Sequence, residues 1–225
     1  MKVLVCGEGD HDIGRSTWNA RIKEHIYEEG WMQPILRRLT EAELELIPAR
    51  HAELVLLPRD ASRHRPLPPG FGGKALAATF KAKILNASVI IFMTDADSNN
   101  PADWREKVRE IDYGFEQSPF HISGVACVPM SASECWLLTD NDAWISVSGR
   151  NGGFNETVAE RIWGDRHDPE GNHPKHAFNR QCENFGVPDN RETRNEIAQH
   201  IEISKIAKNC PISYGGFENS ARTIL

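Results

Sequence analysis

Residues 88–97 read Ser88-Val89-Ile90-Ile91-Phe92-Met93-Thr94-Asp95-Ala96-Asp97. The apolar run from Val89 to Met93 shows no alternation, so both faces of the segment need cover, which is the pattern of an interior strand in a parallel sheet. It stops at two aspartates, placing carboxylates where a strand opens into a loop. That is the edge at which parallel α/β sheets collect ligands. A second run, Lys2-Val3-Leu4-Val5-Cys6, has the same character and ends at Gly7-Glu8-Gly9, where glycine suits a tight strand-to-loop turn.

Working outward from these two runs, Glu53-Leu54-Val55-Leu56-Leu57 and Gly124 to Met130 are expected to be further strands, the latter bent near Pro129. Helices are expected from Asp12 or Ser16 to about Leu39, on the spacing of Trp31, Ile35 and Leu39; from Lys74 to Leu85, with Leu76, Phe80 and Ile84 on one face; and from Pro101 to Phe115. A short helix from Glu134 to about Thr139 would be capped by Ser131 or Ser133. Strand and helix alternate, so the fold class is α/β, a mainly parallel central sheet with helices on both faces. The chain is expected to be a single domain over residues 1–225, with a less regular extension from about residue 141. Regularity is expected to return in a helix from Asn195 to Lys208, and Tyr214 and Phe217 could pack the tail back onto the sheet.

At 225 residues, 40% hydrophobic and 26% charged, the composition is that of an ordinary globular protein. No apolar run approaches the roughly 20 residues that span a bilayer, and the first residues lead straight into a strand, so the expected setting is cytoplasmic. The five cysteines contain no C-x-x-C pair and are expected to be reduced and mostly buried. A net charge of −6 argues against a protein that grips nucleic acid over its whole surface. Any such binding must be local, metal-assisted or shared with a partner.

Three acidic groups carry the chemistry. Glu8 and Asp12 follow the first run, although Asp12 also suits a helix cap and Glu8 a solvated loop. Asp95 and Asp97 follow the second run; alternate residues of an extended chain share a side, so both could face one ion, and turn chemistry would account for them too. Glu134 opens a short apolar helix, where capping would also select an acid; Asp140 lies off its face and is the weaker candidate. Oxygen-only donors of this kind suit Mg²⁺ or Mn²⁺, with waters and substrate phosphates completing the shell.

Together the motifs Val3-Leu4-Val5-Cys6-Gly7-Glu8-Gly9 and Val89 to Asp97 resemble the glutamate and D-x-D motifs of the TOPRIM fold, a Rossmann-like domain shared by topoisomerases, DnaG-type primases and OLD-family nucleases. Glu134-Cys135-Trp136-Leu137-Leu138-Thr139-Asp140 is similar to the E-x-W-L-L-x-D segment of small free-standing OLD-type proteins, and Pro169-Glu170 and Pro174-Lys175 correspond to a later pair in them. The likeness covers roughly residues 1–180. It implies a phosphodiester-cleaving nuclease with Glu8, Asp12, Asp95, Asp97 and Glu134 on two ions about 3.5–4 Å apart. Lys175 would offset developing phosphate charge. It also implies a role in defence or repair beside an ATPase, which must be another chain because no G-x-x-x-x-G-K-[ST] loop is present. A homo-oligomer is left open.

Other readings stand beside this one. Arg59, Arg63, Arg65 and Lys74 lie in a Pro- and Gly-rich stretch that could track phosphates or be merely solvated. His167, His173, His176 and Cys182 fit no common zinc spacing. Trp18, Trp31, Trp104, Trp144 and Trp163 are expected to be packing residues. A haloacid-dehalogenase-like phosphatase also carries D-x-D after a strand, but on its first strand and with Thr or Val where Asn99 stands. A non-catalytic subunit of an ATPase is the remaining alternative.

Overall fold

The computed structural model describes residues 1–61, 66–152 and 159–225, with residues 59 and 61 described in backbone only. In chain order the elements are β1 (Lys2–Gly7), α1 (Asp10–Ile13), β2 (Arg15–Asn19), β3 (Glu24–Glu28), α2 (Met32–Arg37), β4 (Glu45–Arg50), α3 (Pro58–Ala61), α4 (Gly70–Leu85), β5 (Val89–Met93), α5 (Pro101–Glu116), β6 (Ser123–Cys127), α6 (Glu134–Leu137), α7 (Asn141–Ser148), α8 (Pro174–Phe185), α9 (Arg191–His200), α10 (Ile203–Asn209) and α11 (Ser213–Ile224).

Four strands form one parallel sheet in the order β4-β1-β5-β6, and β2 and β3 form a separate antiparallel hairpin. The fold is α/β and Rossmann-like, as the two apolar runs predict. Along β1 the side chains alternate between two cores. Val3 and Val5 join Trp31, Trp136, Trp144 and the C-terminal helices on one face, whereas Leu4 and Cys6 join Phe92, Ile111 and the alanines of α4 on the other. Tyr214 and Phe217 are buried in the first core, so α11 does pack back on the sheet. All five cysteines are buried and free. Among the described residues no helix is long and apolar enough to cross a membrane.

Several expected elements are corrected. The helix expected from Asp12 or Ser16 to Leu39 is instead a one-turn helix, the hairpin and α2; Gly14 at φ +77° ends α1 and turns the chain into β2. Only Trp31, Ile35 and Leu39 keep the buried spacing. Residues 53–57 are not a strand. The edge strand is β4, eight residues earlier, and carries Pro48, which an edge tolerates because it has a ladder on one side alone. In α4, Leu76 is buried but Ile84 is 76% exposed, and the buried face is built on Ala75, Ala78, Thr79 and Ala82. The stretch after residue 140 is more regular than expected, since α7 and α8 precede residue 195, and α9 and α10 are broken at Ile201, whose ψ of 132° leaves the helical region.

Candidate metal centre

Parallel strands end on one edge. In this sheet β1 runs first to β4 on one side and then, through α4, to β5 on the other, so the chain changes direction between β1 and β5. Such a switch point opens a crevice at the carboxyl ends of the strands. Glu8 leaves β1 there and Asp95 leaves β5 there. Beyond the ladder the loop after β5 stays zipped to the loop after β6, with Thr94 N donating to Cys127 O at 3.1 Å, Ala96 N to Pro129 O at 2.9 Å and Ser98 N to Met130 O at 3.3 Å. This carries the start of α6, and Glu134 with it, up to Asp95.

The result is a pocket of about 260 Å³ lined by Glu8, Gly9, Asp12, Met93, Thr94, Asp95, Ser133, Glu134 and Lys175. Four of the five carboxylates proposed from the sequence, and the lysine, share it. Asp97 does not line it: the residue takes φ +52°, so the extended geometry that would aim it beside Asp95 has already ended, and its side chain is exposed. Arg63 and Arg65 and the side chain of Arg59 lie outside the described residues. Lys74 is half-buried, donates to Leu54 O at 3.2 Å and does not line the pocket.

Ser133 is the joint of the site. Its backbone N donates to Asp95 Oδ1 at 2.9 Å and its hydroxyl to Asp12 Oδ1 at 3.3 Å. The hydroxyl therefore does not cap α6 as the sequence suggests. Asp12 Oδ1 also accepts from Trp31 Nε1 at 2.7 Å. Glu134, 3% exposed, accepts at Oε1 from Arg194 Nη1 at 3.0 Å, while its Oε2 is buried without a partner. Arg194 is itself held by both oxygens of Asp189, at 2.7 and 3.1 Å, and lies over the Phe178 ring at 4.6 Å. Lys175 stands in the first turn of α8, whose start is capped by His173 Nδ1 accepting from Lys175 N.

These acids are short of positive charge. Burial, then repulsion from Glu134 and Asp12, raises the Asp95 carboxyl well above the ordinary range, with Lys175 opposing. Burial and Glu134 raise Asp12 in the same way, against the Trp31 hydrogen bond and the Arg194 charge. Glu8, with a side chain 66% exposed, stands at the mouth, its Oε1 3.4 Å from the Thr94 hydroxyl and 3.9 Å from His51 Nδ1. Burial and the nearby Lys74 push His51 down to about 4, so it is neutral at pH 7 and this contact is not an ion pair.

Among the described residues no three His, Cys, Asp or Glu side chains converge tightly enough to make a metal-holding group as they stand. A Mg²⁺ ion, however, takes one or two carboxylates and completes its octahedron with water. The donor set fits such an ion: oxygens only, two acids whose charge is disfavoured, and one orphaned carboxylate oxygen. Asp140, the weaker candidate, is committed elsewhere, to Lys205 and to backbone donors. Among the zinc candidates, His173 is the α8 cap and His176 Nε2 contacts Arg166 O at 2.8 Å.

Sequence reasoning missed Ser133 as a site residue, Trp31 as a donor to Asp12, and Arg194. Ser133 was detectable, since it immediately precedes Glu134. Nothing near Arg194 signals its role, because the contact spans 60 residues. No protein-family model, no curated protein and no solved structure matches the chain.

Proposed function

We propose that this pocket binds Mg²⁺ or Mn²⁺ and hydrolyses phosphodiester bonds in nucleic acid, in the manner of the TOPRIM nucleases that the motifs resemble. The observation that carries the reading is the gathering of Glu8, Asp12, Asp95 and Glu134 with Lys175 in one pocket at the sheet's switch point. Asp12, Asp95 and Glu134 would hold the ions, with Glu8 at the mouth. When bound, the ions would polarise a phosphoryl oxygen and activate water.

The chain's own residues account for the rest. Ser133 fixes the separation of Asp12 and Asp95 by bonding to both. Arg194 fixes the rotamer of Glu134 and leaves its second oxygen free. Lys175 presents a positive charge inside the pocket, where phosphate charge would grow in the transition state. A separate ATPase subunit belongs to the proposal as a regulator, not as a source of the cleaving groups.

The test is Mn²⁺ binding followed by paramagnetic resonance, together with cleavage of single-stranded DNA, duplex DNA and RNA by the purified chain. Asp95→Asn should weaken Mn²⁺ binding and abolish cleavage, and Lys175→Ala should slow cleavage while sparing Mn²⁺ binding. Absence of Mn²⁺ binding, or wild-type cleavage by Asp95→Asn at saturating metal, would sink the reading.

A further inference from the structure

We infer that the β2–β3 hairpin is a stacking arm that receives single-stranded nucleic acid beside the pocket. The inference deepens the nuclease reading and rests on it. Both strands of the hairpin are exposed almost throughout, and neither pairs with a third strand. The register sets Trp18 opposite His25 and Ser16 opposite Tyr27, so these four residues share one face. On that face the Trp18 and His25 rings meet edge to face at 5.2 Å, and His25 stacks with Tyr27 at 6.2 Å and 17°.

Trp18 is 55% exposed and Tyr27 40%, which corrects the expectation that Trp18 is a packing residue. Aromatic faces open to solvent in a row are what unpaired bases stack on; bases inside a duplex have no free face to offer. Charge selects the same occupant. Arg21 and Lys23 stand exposed in the turn at the tip, where the Asn19 side chain accepts from the backbone N of Arg21 at 3.0 Å and Lys23 takes φ +55°. The acids of the hairpin, Glu24 and Glu28, project to the opposite face, and Glu28 is neutralised by Arg15 at 2.9 Å and by Arg191.

The arm is also fixed to the pocket. Its two ends cross at Gly14 and Gly30, where a Cβ on either would lie within 2.4 Å of backbone, on Glu28 O for Gly14 and on Asp12 O and Gly14 N for Gly30. The next residue, Trp31, donates from its backbone N to His11 O and from its indole to Asp12. A strand lying on the aromatic face is therefore held by an element whose root contacts a proposed metal ligand.

The experiment is fluorescence anisotropy of a labelled dT 20-mer and of a 20-base-pair duplex, in EDTA so that nothing is cleaved. Parallel assays follow metal-dependent hydrolysis of bis(p-nitrophenyl) phosphate, a diester too small to reach the hairpin. Trp18→Ala and Tyr27→Ala should each weaken dT binding about tenfold. Arg21→Ala with Lys23→Ala should make the salt slope shallower by roughly 1.4, for two phosphate contacts at about 0.7 each. Far-UV circular dichroism and hydrolysis of the small diester should be unchanged in all of them.

Unchanged dT affinity in Trp18→Ala and Tyr27→Ala overturns the inference, as does tighter binding of duplex than of dT. A concentration-dependent dimer that Trp18→Ala dissolves also overturns it and assigns the face to a second copy of the chain. If the small diester is never hydrolysed but the aromatic variants still lose dT binding, the nuclease reading fails and the arm stands.

Discussion

Two groups of buried or half-buried acids sit in this molecule, and they are treated in opposite ways. Asp140, 1% exposed, has both oxygens satisfied: Oδ1 by Lys205 Nζ at 2.6 Å and Asp142 N at 3.0 Å, Oδ2 by Glu202 N at 2.9 Å. Glu160 is equally well served by the backbone of Ile212 and by the backbone and hydroxyl of Ser213. In the pocket, by contrast, Asp12 and Asp95 share one serine, with the Trp31 indole as a further donor to Asp12, Glu134 keeps an unpaired oxygen, and the arginine that holds its other oxygen is shared with Asp189. Burial without matching donors opposes folding, and proteins retain it where a ligand supplies what is missing. The contrast separates acids that build the fold from the acids to which the proposal above assigns a cation.

The largest effect that tests this contrast is on cleavage. Asp95→Asn should lower metal-dependent phosphodiester hydrolysis by more than about a hundredfold, since loss of a group merely supporting a metal ligand already costs about 10–100-fold. The metal-free variant should be at least as stable as wild type in urea. A variant that is both active and destabilised would place Asp95 with the structural acids.

Next comes the converse change. Asp140→Ala uncaps α7, frees Glu202 N and leaves Lys205 with Asp142 alone, and should remove about 3 kcal/mol of stability by urea titration, whether or not Mg²⁺ is present. A loss that Mg²⁺ restores would erase the distinction between the two groups.

The pH dependence should be more modest. Asp95 and Asp12 hold their protons to higher pH in the folded protein than in the unfolded chain, burial being the largest cause in both. Above the unfolded value near 3.9 the native state therefore binds more protons, and stability falls as pH rises toward the raised values, by at most about 1.4 kcal/mol per pH unit for each group. Urea midpoints between pH 4 and pH 8 should show this fall without metal, a flatter profile with saturating Mg²⁺, and a reduced slope in Asp95→Asn. An identical slope in that variant would mean the pocket acids are not in conflict.

The smallest effect is expected at Asp97. Exposed and outside the pocket lining, it acts on Asp95 through its charge, so Asp97→Asn should change cleavage less than about fivefold, against the large loss at Asp95. Equal losses at both positions would return Asp97 to the ligand set.

What the sequence revealed and what it hid follow one physical rule. β1 and β5 are covered on both faces, so their residues are continuously apolar and mark both the strands and the acids at their ends. β4 lies at an edge, where Pro48 is tolerated and interrupts the apolar run, whereas residues 53–57 carry an uninterrupted apolar run without being a strand. The hairpin buries little and leaves no periodic apolar signature at all. At the site, residues adjacent to an apolar strand or helix were legible, whereas Arg194 contributes through tertiary packing that no local pattern encodes.

The reach of Arg194 also has a consequence in time. Chains are made from the amino end, so Glu8, Asp12, Asp95 and Glu134 all leave the ribosome before the arginine that fixes Glu134. Until α9 docks, Glu134 has no guanidinium to hold its rotamer. If the pocket is the cleavage centre proposed above, a half-made chain has its acids without their final arrangement, and cleavage would wait for α9.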